Sequence, residues 1–146
     1  MTEEGRHRET FRKAERLCGE TTVGAFFAAR NEGSGVESFV KYPLLVGFRV
    51  VEKRKAEEAS CRMLISVGKK RFKRAVKRNR VKRIVREAYR KEKWRLEEEM
   101  SGSEGKTLQI AYSFVGKELP TQEDIDKSIR VSVERMLKSI EQKKRG

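Results

Sequence analysis

The run Ser66–Arg90, S-V-G-K-K-R-F-K-R-A-V-K-R-N-R-V-K-R-I-V-R-E-A-Y-R, holds the side chains best suited to chemistry. Arginine offers a planar fork that meets phosphate through paired hydrogen bonds and stacks on bases, and lysine offers a point charge. Asn79 stands between Arg78 and Arg80 and both donates and accepts, which suits a sugar hydroxyl or a base edge. Between Lys69 and Lys91 only Glu87 interrupts the positive charge. Like charges at i,i+4 on a helix are each unfavourable by a few tenths of a kcal/mol. Bound phosphates relieve that repulsion best, so the run reads as a surface for a folded polyanion, RNA foremost.

Nothing else in the chain reads as a nucleophile with its base. The one histidine, His7, lies in a polar N-terminal stretch, and the acids fall in charged segments without paired spacing. Cys18 and Cys61 lack metal-ligand spacing and read as reduced thiols, with Cys61 a core residue at the head of an apolar run. The expectation is binding, with neither catalytic nor metal-ligating residues on this chain.

The cations need a scaffold. The spacing predicts one helix from about Phe72 to Met100, with acids returning after Lys91. At 100° per residue, with Arg78 at zero, Lys82, Arg86, Asn79, Arg90 and Arg83 fall within roughly 140°. Val81, Ile84, Val85 and Ala88 cluster across from them at i, i+3, i+4, i+7 and form the expected docking stripe. Upstream, Val23, Phe26 and Phe27 suggest a short helix from about Thr21 to Asn31. Strands are expected at Val36–Val40, Leu44–Val51 and Cys61–Val67. Leu44–Val51 is apolar on both faces and so reads as central and covered on both sides. Another strand is expected at Leu108–Val115, after a loop at Ser101–Gly105. Thr121 reads as the N-cap of a last helix, with Glu123 and Asp124 in its first turn. Ile125, Ile129, Val133, Leu137 and Ile140 make its apolar stripe, and Lys143, Lys144 and Arg145 suit its negative pole. The two strands flanking the basic helix can be parallel neighbours through a crossover.

The chain has 146 residues, enough for one ordinary domain with a real core. Charged residues make up 40% and hydrophobic ones 36%, so the core is expected to be thin and the surface ionic. Lys and Arg number 36 against 22 Asp and Glu, a net charge of +14 that favours phosphate backbones. No apolar run approaches the ~20 residues of a membrane span and no signal-peptide core is visible, so a cytoplasmic protein is expected. Residues 1–10 read as a disordered tail, 11–142 as the domain and 143–146 as a basic C-terminal tail.

The run Val67–Arg90 resembles the signature of the bacterial ribonuclease P protein subunit. The resemblance is carried by Lys69-Lys70, Ala75-Val76, Arg78-Asn79, Lys82-Arg83 and Arg86-Glu87 at fixed spacing. Phe11 and Glu15-Arg16-Leu17 resemble the family's lead-in. The likeness covers roughly residues 9–142 and departs from the family in long segments at 31–38, 52–60 and 101–105. It implies a single-domain α+β fold, an α-β sandwich with a small central sheet and three helices in the order αβββαβα. It also implies an unusual left-handed crossover around the signature helix. In the family the RNA subunit carries out the hydrolysis that removes the 5′ leader of precursor tRNA, with magnesium held mainly by the RNA. The resemblance therefore implies two partners, ribonuclease P RNA and precursor tRNA, with one protein per RNA. By position, Lys69, Lys70, Arg74, Arg78, Asn79, Lys82, Arg83, Arg86 and Arg90 are implied to face RNA. Val23, Phe27 and Phe48 are implied to line a cleft for the leader, where an aromatic such as Phe48 suits base stacking.

Two other readings compete. A plain RNA-binding protein, such as a ribosomal protein, fits the charge and size equally, and the ordered signature speaks against it. A DNA-binding protein needs a recognition helix with a turn or dimer signature, and neither is visible.

Overall fold

The computed structural model describes residues 35–53 and 59–145. The chain runs through β1 (Glu37–Lys41), β2 (Leu44–Glu52), β3 (Cys61–Ser66), α1 (Ala75–Met100), β4 (Lys106–Phe114) and α2 (Gln122–Arg145). Among the described residues this is an α+β fold, a four-stranded mixed sheet with two helices. The helix expected near Thr21, with Val23 and Phe27, lies outside the described residues, as do His7 and Cys18.

The strands stand in the order β1-β2-β4-β3. β1 and β2 form an antiparallel hairpin, and β2 runs antiparallel to β4 from Leu44↔Phe114 to Glu52↔Lys106. β3 and β4, the strands on either side of the basic helix, are adjacent and parallel, as the crossover reading expects. α1 begins three residues later than the sequence suggests, because the segment before it is a turn. Gly105 closes the α1–β4 loop at φ 79°, a left-handed conformation that favours glycine. Its carbonyl accepts from the Lys53 N–H at 2.7 Å, which joins the loop to the end of β2.

Period-two alternation sends Leu44, Val46 and Phe48 of β2, Met63 of β3, and Leu108, Ile110, Tyr112 and Phe114 of β4 to one face. Both helices cover it. α1 contributes Val81, Val85, Ala88, Tyr89, Leu96 and Met100; α2 contributes Ile125, Ile129, Val133, Met136 and Ile140. The Tyr112 hydroxyl is buried against Ser132 Oγ at 2.9 Å, and Ser132 Oγ donates to the Ile129 carbonyl at 2.8 Å. Burial pushes the Tyr112 phenol well above its ordinary range despite that hydrogen bond. Cys61 is buried, as expected of a core thiol.

The other face of the sheet is more polar than the apolar reading of β2 implies. Leu45, Arg49 and Val51 are half-buried there, and Arg49 Nε donates to Gln109 Oε1 at 2.8 Å directly across the β2–β4 ladder. Val50 lies in phase with the core face but near the strand's end, and is 37% exposed. β2 is central, with its main core face on one side and, on the other, Leu45 and Val51 around Arg49, beside the small cluster of Ala111, Val36 and Leu64.

The end of α2 is tied to the sheet. Ser139 Oγ donates to both carboxylate oxygens of Glu37, at 2.9 and 2.8 Å, and Lys143 Nζ reaches Glu37 Oε2 at 2.8 Å. Arg135 lies over the Phe39 ring at 4.2 Å. Lys143 lies at the end of α2, as its place at the negative pole of the last helix implies, and helps hold that helix to β1.

Two outcomes follow from this packing. Phe48→Ala removes a ring that is 3% exposed and set edge-on to Phe39; it lowers unfolding free energy by about 3–5 kcal/mol in urea titrations. Partial burial raises the Glu37 carboxyl, but the hydrogen bonds from Lys143 and Ser139 outweigh it and hold the group below its ordinary 4.5. A depressed carboxyl stabilises the fold above its unfolded pKa, and the contribution is lost as pH falls through the folded value. Thermal unfolding therefore favours the parent over Glu37→Gln at neutral pH, by less than about 1 kcal/mol for so exposed a pair. The difference closes well below pH 4.5.

Candidate nucleic-acid interface

The approach to α1 is built by two buried anchors with cations between them. Val67 ends the path out of β3, and Phe72 stacks on Phe114 with ring centroids 5.8 Å apart. Between them the chain turns on the Gly68 carbonyl, which accepts from the Arg71 N–H at 3.1 Å. Lys69, Lys70 and Arg71 are thereby exposed on the outside of the turn, and Lys73 and Arg74 follow, also exposed. A cleft of about 600 Å³ opens here, walled by Lys69, Lys70, Arg71, Ser66, Ser113 and Phe114.

The two helices begin in opposite ways. At α2, the Asp124 N–H donates to Thr121 Oγ1 at 3.1 Å, and Glu123 and Asp124 sit in the first turn. At α1, Arg74 occupies the N-cap position without a side-chain cap, and no acid lies in the first turn. The free N–H groups and positive pole of α1 stand beside Lys and Arg rather than being offset by carboxylates. That arrangement favours an incoming anion.

Arg78 is engaged with its own chain. Its Nη1 donates to the carbonyl of Phe72 at 2.8 Å and to that of Lys73 at 2.7 Å, so the half-buried side chain folds back over the turn. It braces the cationic loop and positions the loop's side chains.

The rest of the expected face is divided by a rotation of the buried stripe. Val81, Val85, Ala88, Tyr89, Lys93, Leu96 and Met100 are buried. With Arg78 at zero they span an arc from roughly 280° through 0° to roughly 60°. That arc overlaps the expected cationic sector, so Lys82 and Arg86 are half-buried, while Asn79 and Arg83 are exposed. Tyr89, Lys93 and Met100 widen the arc because α1 packs on the sheet and on α2 at once. Lys91 Nζ reaches Asp126 at 3.3 Å and Arg95 Nη1 reaches Glu134 at 3.9 Å, both on α2. Arg90 forms a two-bond pair with Glu87, at 2.8 and 3.2 Å, which holds the Glu87 carboxyl below its ordinary value. The second half of the helix thus spends charge on internal pairs.

The first turns of α1 lie ahead of α2. Gln122 Nε2 meets the Ile84 carbonyl at 3.1 Å, which places the start of α2 alongside the third turn of α1. Ahead of that point Ala75, Val76, Lys77, Asn79 and Arg80 are all exposed, Val76 to 78%. Sequence reasoning missed Arg71, Lys73, Lys77 and Arg80 as members of the surface, because it sought one sector of a regular helix. The signal available was the absence of acids from Lys69 to Arg86. Val23 and Phe27 lie outside the described residues. Phe48 is packed within the core, so in this arrangement its ring supports the sheet and does not stand open for a base. Among the described residues no group of three or more His, Cys, Asp or Glu could hold a metal ion, and no helix is long and apolar enough to cross a membrane.

Comparison with known proteins agrees with the signature. The family model described as Ribonuclease P matches residues 11–103. The ribonuclease P protein component of Porphyromonas gingivalis is 40% identical over 124 residues, covering 85% of this chain and 84% of that one. That of Chlorobium phaeobacteroides is 33% identical over 145 residues, covering 93% and 91%. The fold is similar to the structure of Staphylococcus aureus RNase P protein at 2.0 Å, with a TM-score of 0.57 and 21% identity over 85% of this chain and 96% of that one.

The bracing role of Arg78 separates it from its neighbours. Arg78→Ala frees two carbonyls and loosens the turn, lowering unfolding free energy by about 1–3 kcal/mol. Arg83→Ala, on an exposed side chain, leaves thermal unfolding within about 0.5 kcal/mol of the parent.

Proposed function

The chain belongs to the ribonuclease P protein family, and we propose that it binds the RNA subunit of that tRNA-processing ribonucleoprotein through the loop and first turns of α1. Family membership makes it a subunit of ribonuclease P; the finer assignments are our reading. Lys69, Lys70, Arg74, Asn79, Lys82, Arg83 and Arg86 meet the phosphates and riboses of the catalytic RNA, and Arg78 holds the loop that presents them. Arg90, engaged with Glu87, lies at the edge of this surface. The observation that carries this reading is the start of α1: an uncapped helix pole, without an acid in its first turn, ringed by exposed bases.

The chemistry belongs to the partner. The RNA subunit hydrolyses the bond between leader and tRNA with magnesium held mainly by the RNA. The protein binds, orients and neutralises. The 5′ leader of precursor tRNA is gripped by the first helix, through Val23 and Phe27, and the adjoining sheet. One protein serves one RNA, in the cytoplasm.

Reconstitution tests the reading. Added to bacterial ribonuclease P RNA at low magnesium, the chain stimulates cleavage of precursor tRNA at the 5′ end of the mature tRNA. Absence of stimulation favours a plain RNA-binding protein instead. Arg83→Ala flattens the dependence of log affinity on log salt by slightly less than one unit, as expected for one lost phosphate contact. An unchanged slope means that Arg83 faces solvent in the complex.

A further inference from the structure

The turn between β1 and β2 carries Tyr42, which at 64% is, after Val76, the most exposed large apolar side chain among the described residues. The backbone beneath the ring is held tightly. Ser128 Oγ of α2 donates to the Tyr42 carbonyl at 3.0 Å, and the Val115 N–H donates to the Pro43 carbonyl at 2.8 Å. Gly116 seals the contact: a Cβ there would lie 2.6 Å from Phe114 Cζ and 3.1 Å from Pro43 Cβ. The turn is thus fixed while its aromatic ring is left out in solvent. Beside the ring lies a cleft of about 630 Å³ bordered by Lys41, Lys117 and Lys127, with the exposed Leu119 on its wall. Glu118 and Asp124 also border it, so the ammonium groups outnumber the carboxylates by one.

This cleft lies at the same end of the sheet as the cationic one at α1. The Leu44↔Phe114 and Ser66↔Ser113 pairings bring the start of β2 and the end of β3 to the same end of the sheet. Phe114 borders the Lys69–Arg71 cleft, and its far edge meets Gly116 in the wall of the Tyr42 cleft. The exposed ring and its lysines thus stand at the sheet end that also carries the helix pole. A fixed aromatic face with cations beside it is the chemistry that takes one unpaired base and its flanking phosphates.

We infer that Tyr42 is a stacking platform for an unpaired nucleotide of the RNA subunit, with Lys41 and Lys117 on the adjoining phosphates. The occupant is assigned to the RNA subunit because the cleft lies at the same end of the sheet as the surface proposed to bind it, and the inference rests on that reading. On this basis Tyr42 extends the RNA surface beyond the signature helix, around the end of the sheet.

Filter binding of the full chain to ribonuclease P RNA tests it, with the affinity of the reconstituted holoenzyme for precursor tRNA measured in parallel. Tyr42→Ala weakens RNA-subunit binding about tenfold, Tyr42→Phe restores it, and thermal unfolding is unchanged. A crosslink from 4-thiouridine-substituted ribonuclease P RNA to the peptide containing Tyr42 is expected as well. Parent-like affinity of Tyr42→Ala overturns the inference, and so does a loss confined to precursor tRNA, which would give the platform to the leader. If Tyr42→Ala lowers the unfolding temperature, Lys41→Ala with Lys117→Ala decides: a salt slope reduced by nearly two supports the site, and an unchanged slope removes it. Lys69→Ala with Lys70→Ala is the control for the parent reading. If that pair also leaves binding unaffected, the helix surface itself is misassigned; if it weakens binding while Tyr42→Ala does not, only the platform fails.

Discussion

The cationic tip of α1 depends on the apolar contact beneath the helix. Val81, Val85, Ala88, Tyr89, Leu96 and Met100 are buried against the sheet and α2. Without that contact, a segment with one acid among so many bases has little reason to stay helical, since neighbouring like charges oppose it. Burial further along the rod holds its charged end in shape. The protein can therefore keep that end free of neutralising carboxylates, which a surface helix would otherwise carry.

The division of charge along α1 follows from what lies beside each part. From Ile84 onward α2 runs alongside, and Lys91 and Arg95 are drawn into pairs with its acids. Before Ile84, among the described residues, Lys77, Asn79, Arg80 and Arg83 are exposed, while Arg78 turns back onto the preceding turn. α2 itself begins with a capping threonine and two acids and ends in bases, the arrangement that complements a helix dipole. α1 reverses that arrangement at its start. The contrast within one small fold is the physical basis for proposing the start of α1 as the partner-binding end.

Much of this was legible in the sequence. The alternation of Leu44, Val46 and Phe48, the spacing of Ile125, Ile129 and Val133, and Thr121 ahead of Glu123 and Asp124 each report local rules that tertiary structure did not override. The crossover joining β3 to β4 was readable because a long helix lies between two short apolar runs. What was not legible came from contacts between distant segments. A wheel drawn on one helix cannot show that a second helix widens its buried arc, so Lys82 and Arg86 were expected to be more open than they are. Nor does spacing reveal that Arg78 turns back to the Phe72 and Lys73 carbonyls, since a backbone acceptor leaves no residue-type signature. Phe48 was matched to a cleft by resemblance, while its parity along β2 already placed it with Leu44 and Val46 on the core side. Gln109 opposite Arg49 appears only once the register is known.

The brace made by Arg78 has a consequence for the energetics of assembly. Ordering a loop residue costs about 1–2 kcal/mol of backbone entropy. Because two carbonyls of the turn before α1 are already engaged in the unbound protein, that cost falls on folding rather than on the encounter with a partner. Lys69, Lys70 and Lys73 are displayed on a preorganised turn, so under the proposed function a larger share of each charge contact would survive as affinity.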